Sequence, residues 1–131
     1  MSRILICSSN PGLNNFLCDL LTVEGYEVEV TAGAKEGIEK ILSKRFRVAI
    51  VGLEIKGMSG LEMISIIHKI DGNIPVITIS KNDSLETERL VRQERIFYYF
   101  LEPVDGAEMT AVVRNALCRY PEDFHSAERK R

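Results

Sequence analysis

The sequence predicts one α/β domain, a three-layer sandwich around a parallel five-stranded sheet of order 2-1-3-4-5 with helices on both faces. Three observations predict this fold. Five short apolar runs alternate with five stretches in which apolar residues recur at helical spacing. The connections are short, and right-handed crossovers place helices on both faces of a parallel sheet. The chain of 131 residues is long enough to bury a single core.

The first half of the chain contains three of the predicted strands, at 3–7, 26–31 and 48–52. The first helix begins at Asn10-Pro11, because asparagine is a good N-cap and proline suits the first helical position. Gly25 ends that helix. Apolar residues at helical spacing form the predicted buried faces of the first two helices: Leu13, Phe16, Leu17, Leu20 and Leu21, then Ala34, Ile38, Ile41 and Leu42.

The second half contains the remaining strands, predicted at 74–80 and 96–101. Helix starts are predicted at Ser59, Asp83 and Asp105, each of which precedes a glutamate by three residues, the spacing of a capping box. The helix after Asp83 has few apolar residues, so we expect it to be the least firmly packed. The predicted apolar faces of the last three helices are Ile64, Ile67 and Ile70; Leu85, Leu90 and Val91; and Met109, Val112, Val113, Ala116 and Leu117.

Composition and charge exclude several classes of function. The net charge is −2 and the only basic cluster is at residues 129–131, so we expect no direct nucleic-acid binding. No run of about 18 apolar residues and no charged-then-apolar leader is present, so we expect a cytoplasmic protein without membrane association. Cys7, Cys18 and Cys118 lie in apolar patterns, and we expect small buried hydrophobic residues in a reducing compartment.

The stretch 48–61 joins a buried strand to a charged, glycine-punctuated loop and a helix start, at the edge of the sheet where ligands bind. This stretch resembles the third strand and following loop of the receiver domain of two-component response regulators. Ile74-Pro75 is similar to the start of that family's fourth strand. The resemblance implies the flavodoxin-like (βα)5 fold for residues 1–120, with 121–131 as a polar tail or the beginning of a linker.

Where the sequence departs from the family, the departures fall on the chemistry. In the family, two acids follow the first strand, a phosphoacceptor aspartate ends the third, and a lysine follows the fifth. Those places are taken here by Ser8 and Ser9, by Gly52 and by Glu102. Glycine offers no nucleophile, serine hydroxyls carry no charge for Mg²⁺, and a glutamate repels phosphoryl oxygens. The resemblance therefore implies a degenerate phosphorylation pocket without a cofactor, with magnesium binding lost or weak, and no enzymatic activity.

The residues that resemble the family's signalling residues are kept. Ser80, the last residue of this pocket, stands where a threonine or serine touches the phosphoryl group, and Tyr99 stands at the aromatic switch position. Tyr98, Phe100 and Leu101 share its predicted edge strand, and aromatic residues are favoured at interfaces. The resemblance implies a phosphorylation-independent interaction or regulatory module. It would bind another signalling protein, an output domain or a second copy through the face made by the fourth helix, fifth strand and fifth helix.

Two further expectations concern the fifth strand. The first is the alternative to an interface role, in which Phe97, Tyr99 and Leu101 would simply pack beneath the fourth and fifth helices. Pro103 matches a family proline that often follows a cis peptide bond, so we expect a cis bond between Glu102 and Pro103.

Two other functions stay open. One is a receiver still switched by an unusual phosphoacceptor or by a small ligand in the pocket. Glu54 is the nearest carboxylate in sequence, but it lies in the loop, where the family uses a backbone carbonyl. Neither histidine is expected to activate a serine, because His68 is predicted on the exposed side of the third helix and His125 in the tail. The other is a flavodoxin-like cofactor-binding protein, which the absence of a glycine-rich loop after the first strand disfavours.

Overall fold

The structure, a computed structural model, describes residues 2–81 and 84–119. Strands and helices alternate along the chain: β1 (Arg3–Cys7), α1 (Pro11–Val23), β2 (Glu27–Thr31), α2 (Ala34–Ser43), β3 (Val48–Gly52), α3 (Gly60–Ile70), β4 (Val76–Ser80), α4 (Leu85–Gln93), β5 (Tyr98–Leu101) and α5 (Gly106–Arg119). The strands form one parallel sheet of order β2-β1-β3-β4-β5, which confirms the predicted fold and strand order.

Two hydrophobic cores lie on opposite faces of the sheet, because successive residues of a strand point to opposite sides. Ile4 and Ile6 of β1 face the core beneath α1 and α5. Leu5 and Cys7 of the same strand face the core beneath α2 and α3. Both faces of the central strands are therefore covered, as parallel sheets require. This burial holds the carboxyl ends of the strands in fixed positions.

The predicted helix faces are right at their centres and wrong at their margins. Phe16, Leu42 and Ile70 were predicted to face the core, but their exposed fractions are 42%, 66% and 37%. Leu42 and Ile70 lie in the last turns of α2 and α3, and Phe16 lies beside the row formed by Leu13 and Leu17. Helical spacing predicts which residues share a face, but the extent of the surface that covers them decides which are buried.

Helix α4 has the fewest buried residues of the five described helices. Among the described residues of α4, Val91 alone is buried, whereas Leu85 and Leu90 are exposed, contrary to the prediction. The predicted cap Asp83 lies outside the described residues. The hydroxyl of Ser84 instead accepts a hydrogen bond from the Thr87 amide over 3.1 Å and caps the helix. The expected weak packing of this helix is therefore observed, because Val91 is its one buried side chain.

The other predicted helix ends are confirmed. Asn10 accepts a hydrogen bond from the Leu13 amide, Ser59 takes part in a full capping box, and Asp105 accepts from the Glu108 amide over 3.2 Å. Gly25 follows α1 with a φ of 92°, a left-handed conformation that favours glycine. Three strands begin one or two residues later than predicted, at Glu27, Val76 and Tyr98.

The cysteines differ in environment. Cys7 is buried, and this burial raises the pKa of its thiol to about 11. Cys18 is half-buried and Cys118 is exposed, so the prediction of three buried cysteines is wrong for Cys118. None of the helices in the described part of the chain is both long and apolar enough to cross a membrane.

Candidate functional site at the carboxyl edge of the sheet

A cleft of about 340 Å³ lies over the carboxyl ends of β1, β3, β4 and β5. Four of the five predicted pocket residues, Ser8, Ser9, Gly52 and Glu102, line this cleft. The fifth, Ser80, is fully buried and contacts the cleft through a hydrogen bond to Glu54. The remaining lining residues are Asn10, Pro11, Leu13, Glu54, Ile79 and Lys81.

The two serines after β1 have structural roles. The Ser9 hydroxyl donates to the Ala32 carbonyl over 2.7 Å and accepts from the Lys56 amide over 2.8 Å, so it joins two neighbouring loops to its own. The Ser8 hydroxyl accepts from the Asn10 amide over 3.1 Å. These uncharged oxygens already bond to backbone groups, and they do not fit the carboxylate-rich ligand set that Mg²⁺ prefers.

Gly52 ends β3 at the floor of the cleft. A β-carbon added there would lie 3.4 Å from Ser8 Cβ and 3.6 Å from Ser8 Oγ, which is ordinary van der Waals contact. The described residues therefore leave room for a β-carbon at this position, and their packing does not require glycine there.

Glu54 enters the cleft from the loop 53–59. Its Oε2 accepts a hydrogen bond from the Ser80 hydroxyl over 3.0 Å, and its Oε1 accepts from the Lys81 amide over 3.4 Å. Sequence reasoning placed Glu54 in the loop but missed this contact, and it missed Lys81 altogether. The available signal was position, because Glu54 lies two residues after the end of β3 and Lys81 directly follows Ser80.

Glu102 also lines the cleft, directly after β5. Its amide donates to the Ser80 carbonyl over 3.0 Å, which extends the β4–β5 pairing by one bond. The bond between Glu102 and Pro103 is cis, as predicted. The side chains that line the cleft include two carboxylates, Glu54 and Glu102, and one ammonium, that of Lys81, so their charges sum to a negative value, which opposes binding of a free anion.

The predicted interface residues divide between the two faces of β5. Phe100 is only 4% exposed and belongs to the core beneath α1 and α5, so its assignment to an interface is wrong. Tyr98 packs against Phe100 with ring centroids 4.8 Å apart, and its hydroxyl donates to Glu108. This bond raises the pKa of Tyr98. On the other face, Tyr99 is half-buried and Leu101 is exposed.

His68 lies away from the cleft, in a groove with Arg95 and Phe97. It is half-buried, not fully exposed as predicted, and burial, followed by the charge of Arg95, lowers its pKa. His125 lies outside the described residues. Within 2–81 and 84–119, no cluster of three or more histidine, cysteine, aspartate or glutamate side chains is arranged to hold a metal ion.

A doubly wound parallel sheet with a cleft over its strand ends defines an α/β domain that presents its functional groups at that edge. The response regulator receiver domain family matches residues 4–114, and the chain belongs to this family.

Known relatives agree with this assignment. Transcriptional regulatory protein GlrR of Escherichia coli (strain K12) is 26% identical over 116 residues, which cover 88% of this chain and 26% of that protein. Sporulation initiation phosphotransferase F of Bacillus subtilis (strain 168) is 24% identical, covering 88% of this chain and 93% of that one. A CheY-like response regulator receiver domain protein from Methanospirillum hungatei JF-1 has a crystal structure that matches with a TM-score of 0.87 and 27% identity, covering 92% and 96%. This chain spans about a quarter of the length of GlrR.

Proposed function

We propose that this receiver domain is a phosphorylation-independent interaction module in two-component signalling. The observation that carries the proposal is Gly52, which ends β3 at the floor of the cleft and has no side chain to accept a phosphoryl group. The described residues leave room for a β-carbon there, so their packing does not require glycine.

The neighbouring residues support the same proposal. Ser8 and Ser9 offer uncharged oxygens that bond to the backbone, so they are poor replacements for acids that would hold Mg²⁺. Glu102 adds negative charge where phosphoryl transfer would need a positive group. Each change opposes phosphoryl transfer by a different physical effect, and we propose that the domain has neither bound magnesium nor enzymatic activity.

The proposed contact surface is the face formed by α4, β5 and α5. Leu85 and Leu90 of α4 and Leu101 of β5 are exposed apolar side chains. Helix α4 is anchored by one buried residue, Val91, so it can shift at little cost in packing. We propose that the partner is another signalling protein or an output domain. A second copy of the chain is the alternative partner for the same face.

Beryllofluoride with Mg²⁺ tests the proposal, because this pair binds non-covalently where a phosphoryl group would be carried. The amide signals of Ser80 and Tyr99 would be followed by nuclear magnetic resonance during the titration. We expect no saturable shift in this chain. A matched variant carrying Ser8→Asp, Ser9→Asp, Gly52→Asp and Glu102→Lys serves as the positive control, and a saturable shift in the unmodified chain would contradict the proposal.

One observation favours a second candidate, a receiver with an unusual phosphoacceptor. Glu54 places a carboxylate in the cleft, 3.0 Å from the Ser80 hydroxyl. If Glu54 were the acceptor, magnesium-dependent phosphorylation would map to the peptide that contains Glu54. The phosphorylation would disappear in Glu54→Gln. The preferred proposal predicts no such modified peptide.

A further inference from the structure

The carboxyl end of β4 holds two hydrogen-bond donors that converge on one carboxylate. The Ser80 hydroxyl donates to one oxygen of Glu54 over 3.0 Å, and the Lys81 amide donates to the other over 3.4 Å. The Ser80 side chain is fully buried, whereas Glu54 is exposed. A buried donor therefore meets a ligand that comes from a different loop, 26 residues earlier in the chain.

The backbone on both sides of Glu54 is held in place. The Leu53 amide donates to the Ile79 carbonyl over 2.9 Å, which joins the start of the loop to β4. The Lys56 amide donates to Ser9, and the Lys56 carbonyl accepts from the Ala34 amide over 3.0 Å. Because both flanks are anchored, little backbone entropy is lost when the Glu54 side chain binds the end of β4.

We propose that Glu54 is a built-in ligand of the donor pair formed by Ser80 and Lys81, and that its carboxylate excludes free oxyanions such as inorganic phosphate from this position. A carboxylate and an oxyanion need the same donors, so they compete for one place. The carboxylate is attached to the same chain, which gives it an effective concentration on the order of millimolar or higher. The inference deepens the proposed function and rests on it. With the Glu54 carboxylate bound to Ser80 and Lys81, the cleft keeps one arrangement of these groups without phosphoryl transfer.

The contact also adds a side-chain bond between the connections that follow two paired strands, β3 and β4. Glu54 belongs to the loop 53–59 between β3 and α3, and Lys81 begins the connection from β4 to α4.

A titration with inorganic phosphate tests the inference, followed through the Lys81 amide signal by nuclear magnetic resonance at constant ionic strength. The full chain is compared with Glu54→Ala. The matched control is Glu102→Ala, which removes the same charge from the same cleft but leaves the ligand of Ser80 and Lys81 in place. We expect Glu54→Ala to bind phosphate at least about tenfold more tightly than the full chain and Glu102→Ala. Sulfate in place of phosphate should give the same order.

Equal phosphate affinity in the full chain and in Glu54→Ala would overturn the inference, as would an equal gain in Glu102→Ala, which would show a general effect of charge. Glu54→Gln keeps the size of the side chain and is the second variant if Glu54→Ala fails to fold; it should also gain affinity. Phosphate forms no covalent bond in this titration. The result is therefore separate from any test of phosphoryl transfer, and the inference and the proposed function can fail independently.

Discussion

Gly52 and Gly60 lie at the two ends of the same β3–α3 connection, and they differ in how much space the fold leaves for a β-carbon. A β-carbon on Gly60 would lie 2.5 Å from Leu53 Cα and 2.7 Å from the Gly52 carbonyl oxygen. Among the residues that the structure describes, a β-carbon on Gly52 would meet nothing closer than 3.4 Å. One glycine is required by close packing of backbone against backbone, and the other leaves usable space.

This difference separates the frame of the domain from the lining of its cleft. The frame, which consists of the covered sheet, the capped helices and Gly60, is that of a receiver domain. The lining residues Ser8, Gly52 and Glu102 are carried by this frame, and the proposed function holds that they supply different chemistry. Under that proposal, the family's fold persists while the residues that perform its reaction are replaced.

The largest effect is expected for Gly60→Ala. The atoms that meet the new β-carbon belong to the backbone and cannot move away cheaply, so we expect the free energy of unfolding to fall by about 3 kcal/mol. Urea denaturation with linear extrapolation measures it. Gly52→Ala is the matched control and should change the same quantity by less than about 1 kcal/mol. Equal losses would remove the distinction between the two glycines.

The next effect concerns the lining alone. We expect the variant with Ser8→Asp, Ser9→Asp, Gly52→Asp and Glu102→Lys to fold, because a β-carbon at the end of β3 makes only ordinary van der Waals contacts with the described residues. It should bind Mg²⁺ at least about tenfold more tightly than the full chain, a difference of about 1.4 kcal/mol, measured by isothermal titration calorimetry. An unfolded variant would mean that the cleft has been repacked around its present residues and would contradict the separation of frame from lining.

Ser9 belongs to both regions, since it lines the cleft and joins loops of the frame. Ser9→Ala removes the bonds to Ala32 and Lys56, and we expect a loss of about 1 kcal/mol in the free energy of unfolding. Ser43→Ala removes a single exposed bond to the Lys40 carbonyl and should cost less than about 0.5 kcal/mol. Thermal unfolding of both variants gives the comparison, and a smaller effect at Ser9 than at Ser43 would contradict the joining role.

The smallest effect is expected far from the cleft, at Glu29 of β2. Hydrogen bonding from Lys40, and then from Lys44, lowers the pKa of the Glu29 carboxyl. The stabilisation is therefore fully present above the pKa that the Glu29 carboxyl has in the unfolded chain. It is lost as the pH falls through the lower pKa of this carboxyl in the folded state. Glu29→Gln should be less stable than the full chain at neutral pH by under about 1 kcal/mol, and the two should converge in acid. A difference that stays constant with pH would contradict this assignment.

The sequence predicted the frame because the frame depends on local patterns. Apolar runs indicate which segments form strands, and capping residues such as Asn10 and Ser59 determine where helices begin; both caps are confirmed. The errors at Ile70 and Phe100 have another origin. Burial of Ile70 depends on where the neighbouring surface ends, and the side of the sheet that Phe100 faces depends on the register of β5.

The cleft was less predictable. The positions of Ser8, Gly52 and Glu102 followed from their places at strand ends, which meet at one edge of a parallel sheet. The contact between Glu54 and Ser80 did not follow, because the direction of a loop side chain is set by bonds on both sides of the loop and leaves no periodic pattern. The structure is needed to show that the Glu54 carboxylate binds the Ser80 hydroxyl in this cleft.

The central claim, that no group in this cleft is phosphorylated, is tested most directly by intact-protein mass spectrometry after incubation with acetyl phosphate and Mg²⁺. The variant with the acidic residues and the lysine restored is incubated in parallel. The account predicts an unchanged mass for the present chain and the addition of one phosphoryl group to the restored variant. A stoichiometric phosphoryl group on the present chain would contradict it.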